Sequence, residues 1–233
     1  MTTPQIPLGL YPEQLYQLSA FHYATAELST LVEDFCNGKN EWFIYLWGGE
    51  AVGKTHLAIA IVDAVKQHKR AVYLSLQELR STAAPDILQG LEGQCLVCLD
   101  EVEAVMGNRE WEQALFHCFN HLYEAGVQLL VLSRFSPRRL PCQLADLQSR
   151  LRMGLTYHIP NLTDTDKQQV LIRQAKIRGL LLPDSVAEYL LRQYSRDMVA
   201  LIHYIQQLDN ASMAAKRRLT IPFVKQILGY GAD

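Results

Sequence analysis

Short apolar runs alternate with amphipathic stretches along the first two thirds of the chain. Phe43–Trp47, Ala71–Ser75, Cys95–Asp100, Gln128–Ser133 and Leu155–Ile159 are strand-sized, and most are apolar throughout, as strands buried on both faces are. Between them, Thr55–His68 and Glu110–Ala125 carry apolar residues at helical spacing, and Trp111, Leu115, Phe119 and Leu122 fall on one face of the second. Parallel strands need a long return connection that a helix normally supplies, so the alternation predicts a parallel five-stranded sheet between layers of helices. Past Pro160 the strand-like runs stop. Four helical segments follow: Asp164–Arg178, Asp184–Tyr194, Met198–Lys216 and Ile221–Leu228. Thr163 or Asp164 serves as the first N-cap, Gly179 ends that segment and Pro183 precedes the next. The pattern divides the chain into an N-terminal extended segment (1–15), an α/β domain (16–160) and a small helical domain (161–233).

Composition narrows the class of protein. With 49% hydrophobic and 20% charged residues the chain is an ordinary folded one, not a disordered one. A formal net charge of −2 supplies no global field toward nucleic acid or an anionic membrane, so any such role needs a local patch. The apolar runs fall far short of the ~20 residues of a membrane span. The N-terminus, MTTPQIPLGLYPEQL, has no basic flank before an apolar stretch, so no secretory signal is expected and a cytoplasmic location is. Cys36, Cys95, Cys98, Cys118 and Cys142 are an odd number in apolar or helical contexts and read as reduced thiols. Cys95 and Cys98 form a C-x-x-C, but residues three apart on a strand point to opposite faces. His117 and His121 have helical spacing, yet HCFNH lacks the glutamate that a metalloprotease helix needs as a base.

The sharpest chemical signal is GGEAVGKT, where Gly48, Gly53, Lys54 and Thr55 fit G-x-x-x-x-G-K-[ST] directly after a strand and at a helix start. Such a loop, here Gly48, Gly49, Glu50, Ala51, Val52, Gly53, Lys54, Thr55 and then His56, turns its peptide N–H groups toward phosphate oxygens. Lys54 reaches the outer phosphates, and Thr55 is a magnesium ligand. The run CLVCLDE ends a buried strand in two acids: Asp100 to hold magnesium through water, Glu101 to polarise an attacking water. Alone, such an ending would read as a polar cap into a loop. Ser133 and Arg134 close LLVLSR on the side where open parallel sheets place ligands, and could sense an outer phosphate. Arg138, Arg139 and Arg152 add local positive charge that reads equally well as a solvated face, and Arg150 could pair with Asp146 one turn back.

Taken together, the P-loop, acidic strand, polar strand end, S-R-L and four-helix C-terminal segment resemble the AAA+ family, and within it the replication-initiator branch. LVCLDEVE, DLQSRL and the terminal LTIPFVKQIL are similar to the DnaA-homologous regulators of bacterial replication initiation. The likeness covers nearly the whole chain. It implies a P-loop AAA+ three-layer sandwich with a parallel five-stranded sheet and a C-terminal helical lid, binding ADP or ATP, or another nucleoside diphosphate, with magnesium. It further implies a regulator that, with the DNA-loaded sliding clamp of DNA polymerase III, promotes hydrolysis of DnaA-bound ATP and so restrains initiation. Arg150 matches the arginine that relatives present to a neighbouring subunit's nucleotide. Gln5, Ile6, Leu8 and Leu10 resemble the family's clamp-binding peptide, though so short a pattern also suits an apolar tail. No helix-turn-helix pattern follows Leu228, so sequence-specific DNA binding is not expected, and a homodimer is possible.

Two positions depart from the family. Arg134 stands where an acid-bearing sensor is usual, and Val199 falls where the lid's sensor arginine belongs, with Arg196 three residues away. The competing functions are an autonomous ATPase or DNA-remodelling loader acting through Lys54, Asp100 and Glu101, and a binding adaptor with a structural nucleotide. Base recognition would rest on Tyr11, Phe21, His22 and Tyr23 packed around the loop.

Overall fold

The computed structural model describes residues 17–39, 41–215 and 218–229. Ala26–Cys36 forms α1, started by Thr25, whose Oγ1 accepts from the Leu28 amide at 3.2 Å. There follow β1 (Phe43–Trp47), α2 (Lys54–Lys66), β2 (Ala71–Ser75), α3 (Leu76–Thr82) and β3 (Leu96–Asp100). Next come α4 (Arg109–Glu124), β4 (Gln128–Ser133), α5 (Ala145–Leu151) and β5 (Leu155–His158). The five strands are those read from the sequence, with β3 starting one residue later and β5 ending one earlier. All pairings are parallel, in the order β2-β3-β4-β1-β5.

Strand alternation sorts the core into two layers. Ile44, Leu46, Leu96, Cys98, Leu130 and Leu132 face α1 and α2, together with Leu28, Phe35, Leu57 and Ile61. Phe43, Tyr45, Val97, Leu99, Leu129 and Val131 face the other way, onto Leu79, Leu115, Phe119, Leu147 and Leu151 of α3, α4 and α5. Both faces are covered, which is why the runs are apolar without a polar alternation. Cys98 is buried within β3, whereas Cys95, one residue before the strand, is exposed, and the alternation carries Asp100 to the α2 side of the sheet.

Beyond β5, α6 (Asp164–Ile177), α7 (Asp184–Gln193), α8 (Met198–Ala215) and α9 (Ile221–Leu228) enclose a separate core around Leu171, Leu190, Leu201, Ile205 and Val224. A capping box starts α6: Thr163 accepts from the Asp166 amide, and the Asp166 carboxylate accepts from the Thr163 amide at 2.9 Å. Asp197 Oδ1 accepts from the Ala200 amide at 2.9 Å in the first turn of α8. Two bonds tie this helical unit to the segment before α1. His22 Nε2 meets Asp166 Oδ1 at 2.9 Å, and the Arg173 guanidinium donates to the Phe21 carbonyl. Among the described residues no helix is long and apolar enough to cross a membrane.

The strand order also places the site. After β1 the chain crosses to β2 at one edge, whereas β5 is laid on the other side of β1. A topological switch of this kind opens a crevice at the carboxyl ends of the strands, where the loop after β1 lies.

Candidate functional site

The loop between β1 and α2 is shaped by its glycines and by what packs against it. The Gly48 amide donates to the Ser133 carbonyl at 3.1 Å, pinning the loop to the end of β4. A Cβ at Gly48 would lie 2.6 Å from the Ile159 carbonyl oxygen, a backbone atom that cannot swing aside, so only glycine lets the loop come this close there. Gly53, at φ +90°, turns the chain into α2 through a left-handed conformation that side chains disfavour. The first turn of α2 therefore opens onto the loop with its unbonded N–H groups and the positive end of its dipole. Lys54 Nζ donates to the Gly48 and Gly49 carbonyls at 2.8 and 2.5 Å, which holds the ammonium over the same concavity. Burial lowers its pKa, against the raising effect of Glu103, Asp100 and Glu101. This is a cradle of N–H donors and one ammonium, and nucleotide phosphates fit it.

Thr55 and Asp100, the pair expected to hold magnesium, are brought together. Thr55 Oγ1 and the Tyr73 hydroxyl donate to Asp100 Oδ2 at 2.7 and 2.9 Å, and Asp100 Oδ1 accepts from the Glu101 amide at 2.9 Å. Burial, and then the Asp100 charge, pushes the Tyr73 phenol well above its ordinary pKa, so it stays a donor. Asp100 is 0% exposed, and a hydroxyl and a carboxylate at this spot are the hard oxygen donors that suit a magnesium ion. Glu101 sits in a left-handed turn at φ 58°, with its Oε2 accepting from Ser75 Oγ at 3.0 Å. Its carboxyl is raised by burial, with the Ser75 bond opposing.

A third group lies at the end of β4. Ser133 Oγ donates to Glu103 Oε2 at 2.8 Å, and the Arg134 amide donates to Glu103 Oε1 at 3.2 Å. Arg134 Nε is 3.4 Å from the same Oε1, while its Nη1 forms an ion pair with Glu50 of the loop. Tyr73, Ser75 and Glu103 were not assigned from sequence. The signal available for Ser75 is the one that marked Ser133: a polar residue at the carboxyl end of a parallel strand.

Other expected residues are distributed as follows. The Phe21 ring covers Gly53, where a Cβ would lie 3.1 Å from its Cε2, and meets the His56 and Tyr23 rings edge-on at 5.4 and 5.0 Å. His22 turns to Asp166 instead. Val199 is 68% exposed, and Arg196 pairs with Asp164 at 3.7 Å. Arg150 is not part of the cradle. It precedes β5 and so lies at the amino end of the sheet, opposite the loop, with Nη1 3.7 Å from Met153 Sδ. The Asp146–Arg150 pair considered from sequence does not form among the described residues, where Arg150 has no ion pair. Gln5, Ile6, Leu8, Leu10 and Tyr11 lie outside the described residues.

A P-loop after β1 of a parallel sheet, an acid pair at the end of β3 and a helical lid define a nucleotide-binding module of the AAA+ type. The particular family follows from sequence models: that of the bacterial DnaA ATPase domain matches residues 22–158, and that of the Hda lid domain matches residues 164–228. The chain belongs to the bacterial DnaA ATPase-domain family and carries an Hda lid. Among solved structures, domain III of the Thermotoga maritima replication initiation protein DnaA is similar over 95% of this chain and 98% of that one, with 19% identity and a TM-score of 0.77. DnaA from Aquifex aeolicus bound to AMPPCP matches over 88% of this chain and 69% of that one, at 23% identity and a TM-score of 0.67. The fold extends to the Thermotoga maritima RuvB Holliday junction branch migration motor, at 15% identity over 93% of this chain and 72% of that one, with a TM-score of 0.68.

Proposed function

We propose that the chain is a cytoplasmic, nucleotide-binding regulator of replication initiation which, with the DNA-loaded sliding clamp, presents Arg150 to ATP held by DnaA and promotes its hydrolysis. The observation that carries this reading is the place of Arg150. It stands at the amino end of the sheet, the far side of a ~16 Å strand from its own P-loop, with a thioether and, among the described residues, no carboxylate for company. An arginine so placed is available to a neighbour's site rather than its own. A guanidinium supplied from outside offsets charge that spreads over the transferred group's equatorial oxygens.

The chain's own cradle would hold ADP or ATP with Lys54 and the loop amides on the phosphates and Thr55 and Asp100 toward magnesium; adenine is supported by the AMPPCP bound to the Aquifex aeolicus relative. When bound, that metal neutralises phosphate charge. Intrinsic hydrolysis is slow in this reading, because Val199 has no donor for an outer phosphate and Ser75 holds the Glu101 carboxylate. The assembled Lys54, Thr55, Asp100 and Glu101 favour a second reading, an autonomous ATPase. Phosphate release by the purified protein alone, and with ATP-loaded DnaA and clamp-loaded DNA, separates them. Slow release alone and conversion of DnaA-bound ATP only in the full mixture support the regulator; rapid release alone supports the ATPase.

A further inference from the structure

One buried carboxylate has no part in the nucleotide cradle. Glu112, in the first turn of α4, is 1% exposed, and among the described residues no cation pairs with it. Three backbone amides donate to it instead. Oε1 accepts from Gly107 at 2.8 Å and from Gln143 at 3.0 Å, and Oε2 accepts from Gln143 at 3.0 Å and from Leu144 at 2.7 Å. Burying a carboxylate is costly, and charge-assisted bonds to several amides offset that cost only while they are all made. Two of the three amides stand at the entrance to α5. That helix is seven residues long, and Leu144 at its N-cap position has no side-chain oxygen to accept from the first turn. So short a helix does not stand by itself in water, and its placement comes from outside. Leu147 and Leu151 pack into the core that α4 shares, and Glu112 takes up the amides at the entrance while setting negative charge against the positive end of the helix.

From this we infer that Glu112 is a positioning residue for Arg150: its bonds to the Gln143 and Leu144 amides fix α5 on α4, and with it the arginine in the last turn. The inference rests on the reading of Arg150 given above. Among the described residues Arg150 has no ion pair to orient it, so where its guanidinium lies follows from where the helix lies. A group that stabilises charge on a partner's ATP must meet the reacting oxygens closely, and a displacement of about 1 Å costs on the order of a hundredfold in rate. Glu112 touches no part of that chemistry. It acts through the helix, as a cap supplied by a neighbouring element in place of the one that the sequence of α5 lacks.

The test follows conversion of DnaA-bound ATP with clamp-loaded DNA over a range of concentrations of the full chain, which separates the maximal rate from the half-saturating concentration. Glu112→Ala should lower the maximal rate by about 10- to 100-fold and leave the half-saturating concentration within about twofold, because the docking surfaces stay while the arginine is misplaced. Glu112→Gln keeps one acceptor oxygen and turns an NH2 group on the remaining amides, so its maximal rate should fall between those of the alanine variant and the unmodified chain; it carries the test if urea titration shows that the alanine variant does not fold. Ile205→Val, a small loss of packing in the lid core, controls for stability alone and should stimulate normally. A full maximal rate in the folded Glu112 variants, a raised half-saturating concentration at an unchanged maximal rate, or an equal loss in Ile205→Val overturns the inference. Arg150→Ala is measured alongside. If it stimulates normally, the reading of Arg150 has failed and the role of Glu112 with it; if it abolishes stimulation while the Glu112 variants keep the full maximal rate, the positioning role alone has failed.

Discussion

Asp100 has both carboxylate oxygens bonded inside the protein, to Thr55, Tyr73 and the Glu101 amide. That economy separates what the sequence made legible from what it did not. Lys54 and Thr55 were readable because their motif follows a strand at fixed spacing, and Asp100 because an apolar run ends in acids. Tyr73 and Glu103 were not, since each reaches the site across the sheet or from a short turn, a contact that no local spacing encodes. Lys54→Ala should weaken ADP binding strongly, because phosphate charge would then face backbone dipoles alone; calorimetry with unchanged affinity would contradict it. A second residue gives a pH signature. Asp166 is held below its ordinary pKa chiefly by the Thr163 hydroxyl, with the His22 ring helping and partial burial opposing. A carboxyl lowered on folding stabilises the fold above its unfolded value of about 3.9, and that contribution is lost as the pH falls through the lower folded value. Asp166→Asn should therefore be less stable than the unmodified chain in urea at pH 7, with the difference shrinking below about pH 4.

At the scale of elements, every strand and the four lid helices were readable from hydrophobic period, while α1 and α3 were passed over. In α1 the signal was present, since Leu28, Leu31, Val32 and Phe35 recur at helical spacing and all are buried. The seven residues of α3 are too few for a period to declare itself. The connection into α5 depends on a feature that sequence pattern conceals. Glu112 of α4, 1% exposed, accepts from the Gly107 amide at 2.8 Å, from the Gln143 amide at 3.0 Å and from the Leu144 amide at 2.7 Å. It thereby fastens the loop before α4 to the one that leads from β4 into α5, and sets where α5, with Arg150, begins. Glu112→Ala leaves those buried donors without an acceptor and should cost about 3 kcal/mol of unfolding free energy in urea titration, with Gln costing less. Gly154→Ala should also destabilise, by about 1–3 kcal/mol, because its Cβ would lie 2.4 Å from Phe43 Cδ1 in the packed core.

At the scale of the whole molecule, the lid and the nucleotide cradle meet through His22–Asp166 and Arg173–Phe21, while Arg150 points to the other end of the sheet. The family and the fold were legible because the P-loop motif, the alternation of strands and helices and the four-helix C-terminal segment agree with one another. Partner contacts were not, because they involve surfaces whose counterparts lie in other chains. Replacing Gln5, Leu8 and Leu10 together by alanine should abolish a gel-filtration complex with the sliding clamp and leave ADP affinity intact; a complex that survives would place the contact elsewhere. The central proposal, an arginine acting on a partner's ATP, is tested most directly by following conversion of DnaA-bound ATP to ADP with clamp-loaded DNA and the Arg150→Ala variant. Loss of stimulation with nucleotide and clamp binding retained is the expected result, and Lys at 150 should not restore it, because a point charge lacks the planar fork that grips two oxygens. Normal stimulation by Arg150→Ala would contradict the proposal.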